Sequence, residues 1–404
     1  MKSLKNWIFG TLAHNRVNSV LGFSVMALLL AAIYLTRDAT NLDEYLLIDE
    51  ESPPQCDLFS GKWVFDHKFA PSYNDQQCSF MTDDYACQKF GRNESIYQHW
   101  RWQPHDCDLS RFNATTLLEK FRGKRITFVG DSLNKNQWTS LLCLIESSIP
   151  PSERFVQWNG SLATFKTSQY DGVSIQFYWE PLLVESNCDD PAEHHVLERV
   201  INVHKIEKHA MHWKDADILI FDSFMWWLSP KMTVLQGSSQ NSEEINNTVE
   251  RTESYKMALK TWTDWLNLHV NQTKTQLFFM SFSPYHHTGE DWGKNSNTNC
   301  YNETEPILDE GFVGSGLDRG MIEVAENAVR ELQSKGLKVQ YVNITNLSDR
   351  RKEAHPSIYR KQWKPPTEKE LANPSSYSDC VHWCLPGVPD IWNQLLYAYI
   401  LQYT

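Results

Sequence analysis

Ser132, Asp379 and His382 have the residue types and local settings that nucleophilic catalysis uses. Ser132 follows Arg125–Val129, a short run rich in β-branched and aromatic residues, and the turn residue Gly130. Beyond it, Asn134 to Glu146 carries apolar side chains at helical spacing. A strand, a tight turn and a helix start put this serine at the carboxyl edge of a sheet. There the first helical N–H groups can face a developing oxyanion. The competing reading is an Asp131-Ser132 helix cap with no chemistry. Asp379 and His382 lie three residues apart near the other end of the chain. One short turn can then hold a carboxylate against the imidazole and leave its second nitrogen for a serine hydroxyl. D-x-x-H alone arises often by chance. Its place just before a final helical run, Asp390 to Gln402, gives it weight.

Gly130-Asp131-Ser132 with Asp379-x-x-His382 resembles the SGNH/GDSL-type acyl hydrolases. The longer blocks CDLFSGKWVFD, YQHWRWQPHDCDL, GDSLNKNQW, MSFSPYHH, GEDWG, SIYRKQW and DCVHWCLPGVPDIWN resemble the plant trichome birefringence-like (DUF231, PC-esterase) polysaccharide O-acetyltransferases. They recur over nearly all of the chain from Cys56 onward, and GEDWG, SIYRKQW and LANPSSYSDC are most similar to the xylan-acetylating branch. The resemblance implies an α/β, SGNH-like three-layer fold with a mainly parallel sheet and a disulfide-rich N-terminal lobe. It implies Ser132 as nucleophile, His382 as general base and then acid, and Asp379 as its orienter. It further implies a cell-wall polysaccharide acceptor, xylan first, an acetyl donor of open identity, and a Golgi address.

The same resemblance suggests the pairs Cys56–Cys107, Cys78–Cys143, Cys87–Cys384 and Cys300–Cys380, leaving Cys188 free. For the oxyanion hole it offers the Ser132 N–H with Asn134 or Asn136 as side-chain donors. Relatives often read Phe-Asn-Thr where this chain has Phe221-Asp222-Ser223, and an ionised Asp222 would repel an oxyanion. Lys135 stands where relatives usually have arginine, and lysine lacks the planar bidentate fork.

Positioning these residues requires an alternating α/β body. Strand-like runs fall at Arg125–Val129, Val173–Tyr178, Ile218–Phe221, Gln276–Phe282 and Lys338–Val342. Helical runs fall at Asn134–Glu146, Ser254–Val270, Leu317–Ser334 and Asp390–Gln402. The alternation predicts a mainly parallel sheet covered on both faces. Val234–Val249 is polar and reads as a surface loop. Indole faces pack well on sugar C–H groups. Trp226, Trp227 and Trp383, with His287, are therefore the candidate substrate contacts, although most tryptophans belong to cores. On a strand end, Trp226 and Trp227 would point opposite ways, one of them outward.

The nine cysteines all lie between Cys56 and Cys384, and an odd count leaves at least one unpaired. Cys380 and Cys384 flank His382, so bridges there would hold the D-x-x-H loop from two sides. Ligands so close together on a tight loop suit zinc poorly, and no metal is expected. Neither G-x-G-x-x-G nor a P-loop is present, so no nucleotide cofactor is indicated.

The 404 residues carry a net charge of −12, which argues against nucleic acid and against a general polyanion-binding surface. A local basic patch would reverse the second point. Residues 17–35 are apolar and uncharged, long enough to span a bilayer, with Lys2, Lys5 and Arg16 before them. They read as a type II signal-anchor, with a cleaved signal peptide as the alternative. Residues 1–16 then form a cytosolic tail, 36–55 an acidic stem, 56–110 the Cys-rich lobe and 111–404 the SGNH-like catalytic domain. Eight sequons, at Asn93, Asn113, Asn159, Asn246, Asn271, Asn302, Asn343 and Asn346, all follow the apolar segment and agree with a lumenal body. A polysaccharide O-acetyl esterase, a mannan or pectin O-acetyltransferase and a non-catalytic polysaccharide binder remain the rival readings.

Overall fold

The computed structural model describes residues 56–228, 232–236, 245–314 and 316–402. Residues 1–55, read above as tail, signal-anchor and stem, lie outside the described residues. Among the described residues no helix is long and apolar enough to cross a membrane. All described residues except Cys56 fall in one unit, Asp57–Thr404.

The strands are β1 (Gly61–Phe65), β2 (Trp100–Pro104), β3 (Arg125–Gly130), β4 (Val156–Asn159), β5 (Leu162–Lys166), β6 (Ser174–Trp179), β7 (Arg199–Ile201), β8 (Ile218–Asp222), β9 (Met232–Gln236), β10 (Ile245–Thr248), β11 (Gln276–Met280) and β12 (Val339–Val342). The principal helices are α1 (Ala114–Lys120), α2 (Ser132–Ile145), α3 (Arg251–His269), α4 (Arg319–Ser334) and α5 (Val388–Gln402). The central sheet runs β12-β11-β8-β3-β6-β5-β4. Its first five strands are parallel, and β5 and β4 add an antiparallel edge. The expected parallel strands are all present, and the antiparallel pair at the edge was not foreseen.

Side-chain alternation fixes the layers. Phe128, Phe177 and Ile220 are cross-strand partners on one face, and Trp138 of α2 packs on Phe177 at 6.0 Å. Val129, Tyr178, Phe221 and Phe279 share the opposite face, where Trp262 of α3 meets Phe221 at 5.2 Å and Phe279 at 5.1 Å. Helices therefore cover both faces, which is why β6 is buried along its whole length. The central β3 has β6 on one side and β8 on the other, so the chain reverses its direction of winding there. Such a point opens a crevice at the carboxyl ends of the strands.

Two peripheral sheets complete the unit. β7, β9 and β10 form a small sheet in the order β10-β9-β7. This corrects the expectation of a surface loop over Val234–Val249. Both its flanks are paired strands, and 237–244 between them lie outside the described residues. β1 and β2 pair in the Cys-rich lobe, where Trp63 faces Trp102. That hairpin is stitched to the body. Trp63 Nε1 donates to Leu347 O at 2.8 Å, and Arg351 Nη2 donates to Tyr97 O at 2.7 Å. Arg92 donates to His355 O at 3.0 Å and to Glu353 O at 2.7 Å.

Cys78–Cys143, Cys87–Cys384 and Cys300–Cys380 are bridged, Cys56 and Cys107 are both disulfide-bonded, and Cys188 is free and buried. Asn93, Asn113, Asn159, Asn271, Asn302 and Asn346 are exposed, whereas Asn343 is half-buried against Ser281. The side chain of Asn246 lies outside the described residues.

Candidate active site

The setting of Ser132, the candidate nucleophile, follows from Gly130. A Cβ there would come within 2.3 Å of Asp222 O and 2.9 Å of Asn134 Cβ, so only glycine lets β3 pass so close to β8 and α2. Asp131 is the N-cap of α2, accepting from Leu133 N–H at 2.8 Å, and Ser132 is the first helical residue. The capping role and the nucleophile's placement therefore occupy adjacent positions.

Residues from the two ends of the catalytic domain meet here. Ser132 Oγ lies 2.7 Å from His382 Nε2, and His382 Nδ1 lies 2.8 Å from Asp379 Oδ2. Asp379 Oδ1 accepts from the backbone N–H groups of Val381 and His382, each at 3.0 Å, so the turn is wrapped around its own carboxylate. Burial alone would raise the Asp379 carboxyl. Its attraction to His382, the hydrogen bond between them and Arg360 at 3.5 Å instead hold it well below the ordinary range. Burial likewise works against a charged His382, but Asp379 outweighs it and raises the imidazole above its ordinary value. A base raised in this way abstracts a proton more readily once neutral. The His382 side chain keeps 24% of its surface exposed and Ser132 is partly open, so a substrate can reach both.

The oxyanion candidates divide. Asn134 is buried beside Gly130, and among the described residues neither its amide nitrogen nor its oxygen has a partner. Asn136 is not available. Its Oδ1 accepts from Trp383 N–H at 2.8 Å and its Nδ2 donates to Trp383 O at 3.2 Å, which gives it a clamping task instead. Asp222 is buried next to Asp131, and burial first, then that neighbour's charge, pushes its carboxyl far above the ordinary range. Its protonated form is thereby favoured, which weakens the repulsion an ionised Asp222 would exert on an oxyanion.

The aromatic candidates are corrected. Trp383 is fully buried, stacked on His355 with ring centroids 4.1 Å apart and donating to Ser283 Oγ at 2.9 Å. Trp226 and Trp227 sit in the 3₁₀ turn Met225–Leu228, not on a strand end, so the alternation argument does not apply. Trp227 is fully buried and Trp226 is 9% exposed. His287 is exposed; desolvation lowers its pKa and the charge of Asp379 opposes that, so it alone of the four combines exposure with an electrostatic link to Asp379.

Tyr85 and Arg360 escaped the sequence reading. Tyr85 OH donates to Ser132 O at 3.0 Å, and its ring lies 5.8 Å from that of His382. Its position two residues before Cys87, which is bridged to Cys384, was the available signal. Arg360, from the SIYRKQW block, supports Asp379. His355 Nδ1 donates to His382 O at 2.6 Å, with His286 Nδ1 2.7 Å from His355 Nε2 behind it. A separate cluster of Glu180, Asp189 and His209 has the make-up of a metal site. Burial opposes a charge on His209, yet the two carboxylates, 2.7 and 3.0 Å away, raise it to about 9. The imidazolium itself is the cation between them. A cavity of about 510 Å³ lies between α3 and α4, and no triad residue lines it.

Comparison with known proteins agrees with this geometry. Residues 109–399 match PC-Esterase, the "GDSL/SGNH-like Acyl-Esterase family found in Pmr5 and Cas1p", and residues 54–108 match the PMR5 N terminal Domain. The chain is 49% identical to Protein trichome birefringence-like 34 of Arabidopsis thaliana, over 94% of each chain. It is 47% identical to Xylan O-acetyltransferase 14 and 48% identical to Xylan O-acetyltransferase 12 of Oryza sativa subsp. japonica, over 86% of this chain and 77% and 70% of theirs. A serine at the head of a helix, a histidine against it and an aspartate behind that, on a three-layer sheet fold with matches along nearly its whole length, mean that this chain belongs to the PC-esterase family of GDSL/SGNH-like acyl enzymes, with its PMR5 N-terminal domain.

Proposed function

We propose that this acyltransferase moves acetyl groups onto hydroxyls of a cell-wall polysaccharide, xylan first, through an acetyl-serine. The observation that carries the chemistry is the 2.7 Å contact between Ser132 Oγ and His382 Nε2, with Asp379 behind it. The likeness to the rice xylan O-acetyltransferases carries the acceptor.

Ser132 gives its proton to His382 Nε2 and attacks the carbonyl carbon of an acetyl donor. The tetrahedral oxyanion meets the Ser132 N–H and the unpartnered amide of Asn134. His382 returns the proton to the leaving group, and acetyl-Ser132 remains. A sugar hydroxyl, deprotonated by the same imidazole, attacks that ester and regenerates Ser132. Asp379 keeps Nδ1 protonated and steadies the imidazolium in both halves. Water could take the sugar's place, which is the esterase alternative that the family description favours.

We further place the chain as a type II Golgi membrane protein with its catalytic domain in the lumen. Support comes from the apolar segment 17–35 with basic residues before it, the sequons after it, and bridges that persist in an oxidising compartment. Incubating the full chain with an acetyl donor and deacetylated xylo-oligosaccharides tests the enzymatic reading. Acetylated oligosaccharide from wild type and none from Ser132→Ala is expected. Acetylation of another glycan and not xylan would remove the xylan assignment, and acetate release with no acceptor product would favour the esterase.

A further inference from the structure

Arg199 opens β7, and its guanidinium lies over the indole of Trp226 at 4.4 Å. Trp226 in turn meets Trp179 edge-on at 5.5 Å and His194 at 5.2 Å. This stack has a defined place relative to the nucleophile. Trp179 is the register partner of Gly130 on one side of β3. Trp226 lies four residues beyond Asp222, the partner of Gly130 on the other side. The two indoles therefore lie at the end of the sheet where Gly130-Asp131-Ser132 leaves it, and Arg199 sits on Trp226.

The guanidinium has no use inside the described fold. Among the described residues it forms no ion pair and donates no hydrogen bond, and its Nη1 is shielded from solvent without an acceptor. Orphaned nitrogens of this kind are rare, because a desolvated cationic donor is costly to leave unmade. The acids that act on Arg199 through space are Cys188, a buried thiol, and Asp131. Burial raises Asp131 to about 6, which still leaves it largely ionised at neutral pH, but it caps α2 through Leu133 N–H and forms no ion pair with the guanidinium. Arg351 finds Glu353 and Arg122 finds Glu119, whereas partly buried Arg199 finds no carboxylate within ion-pair reach among the described residues.

We propose that Arg199 on its Trp226 shelf is an anion subsite next to Ser132, taking one carboxylate or phosphate group carried by a substrate. This deepens the acetyl-transfer reading and rests on it. A planar guanidinium matches either oxyanion with paired hydrogen bonds, and the indole beneath fixes its plane. A net charge of −12 disfavours a polyanion, yet a single cation in the cleft suits an otherwise neutral polymer with an occasional acidic substituent. The same chemistry would suit a phosphate on the acetyl donor.

The test pairs two acceptors with two donors on the full chain. The acceptors are a neutral xylo-oligosaccharide and one bearing a uronic acid; the donors are acetyl-CoA and neutral p-nitrophenyl acetate. Arg199→Gln is expected to raise KM roughly 10–100-fold for the anionic partner, with kcat little changed and the all-neutral pair unaffected. Arg199→Lys, which keeps the charge and loses the fork, should fall between. A KM effect confined to the acidic acceptor assigns the subsite to the glycan, and one confined to acetyl-CoA assigns it to the donor. Equal losses in all four pairings, or none in any, overturn the proposal. Absence of acetyl transfer by wild type would sink the acetyl-transfer reading alone. Titrating the chain with the uronosyl oligosaccharide and with inorganic phosphate would still read the subsite, where equal affinity in wild type and Arg199→Gln overturns it.

Discussion

Asn136 grips Trp383 by both of its backbone groups, at 2.8 and 3.2 Å. Asn136 is one helical turn beyond Ser132 on α2, and Trp383 is the residue after His382. The helix that carries the nucleophile thus also fixes the loop that carries the base, so the Ser132–His382 distance is set by one rigid element. Asn136→Ala should leave a buried N–H and C=O unpaired and destabilise the fold by about 1–3 kcal/mol. Because misplacement by a fraction of an ångström is costly, kcat should fall more than this stability loss explains. Thermal unfolding and initial rates on the same samples check both.

The pH dependence follows from Asp379. His382 works as a base only when neutral, and Asp379 raises its pKa above the ordinary 6.5. Activity is therefore lost as pH falls through that raised value. In Asp379→Asn the imidazolium loses its stabiliser, so the acid limb should move to lower pH while kcat drops by roughly 10⁴-fold. Rate profiles of both proteins from pH 5 to 9 decide it. An unmoved limb would mean another group controls that ionisation.

The Cys300–Cys380 bridge, closing a sequence separation of 80, ties down the chain two residues before His382. Replacing both cysteines by serine should cost about 2–4 kcal/mol of stability. It should also lower kcat, since Asp379 and His382 gain freedom. The Cys78–Cys143 bridge joins the lobe to α2 away from the loop. Its double serine variant should lose similar stability with a smaller change in kcat.

His355 holds the loop from behind, donating to His382 O at 2.6 Å while its ring stacks on Trp383. His355→Phe keeps an aromatic ring there and removes the bond, so it should lower kcat roughly 10-fold with KM unchanged. A KM change instead would place His355 in substrate binding.

How much of this was legible depended on the range of the information. Parallel strands buried on both faces announce themselves as apolar runs, and Arg125–Gly130 and Gln276–Met280 did so. Ser132, Asp379 and His382 were legible because each sits in a local motif with a mechanical reason. The edge strands β4 and β5 and the β7–β9–β10 sheet were not, because short mixed-polarity strands are defined by their partners. The tryptophans misled for a related reason. Indoles serve cores and sugar faces equally well, and only packing separates the buried Trp383 from an open platform. Asp222 shows the same limit, since burial beside Asp131 favours its protonated form and no sequence spacing encodes burial.

The most direct measurement is peptide mass spectrometry of the full chain after exposure to an acetyl donor without acceptor. One acetyl group on the peptide containing Ser132, discharged when xylo-oligosaccharide is added and absent from His382→Ala, is the expected result. Acetyl transfer that continues in Ser132→Ala, or label that accumulates on another residue and passes to the sugar from there, would contradict the account.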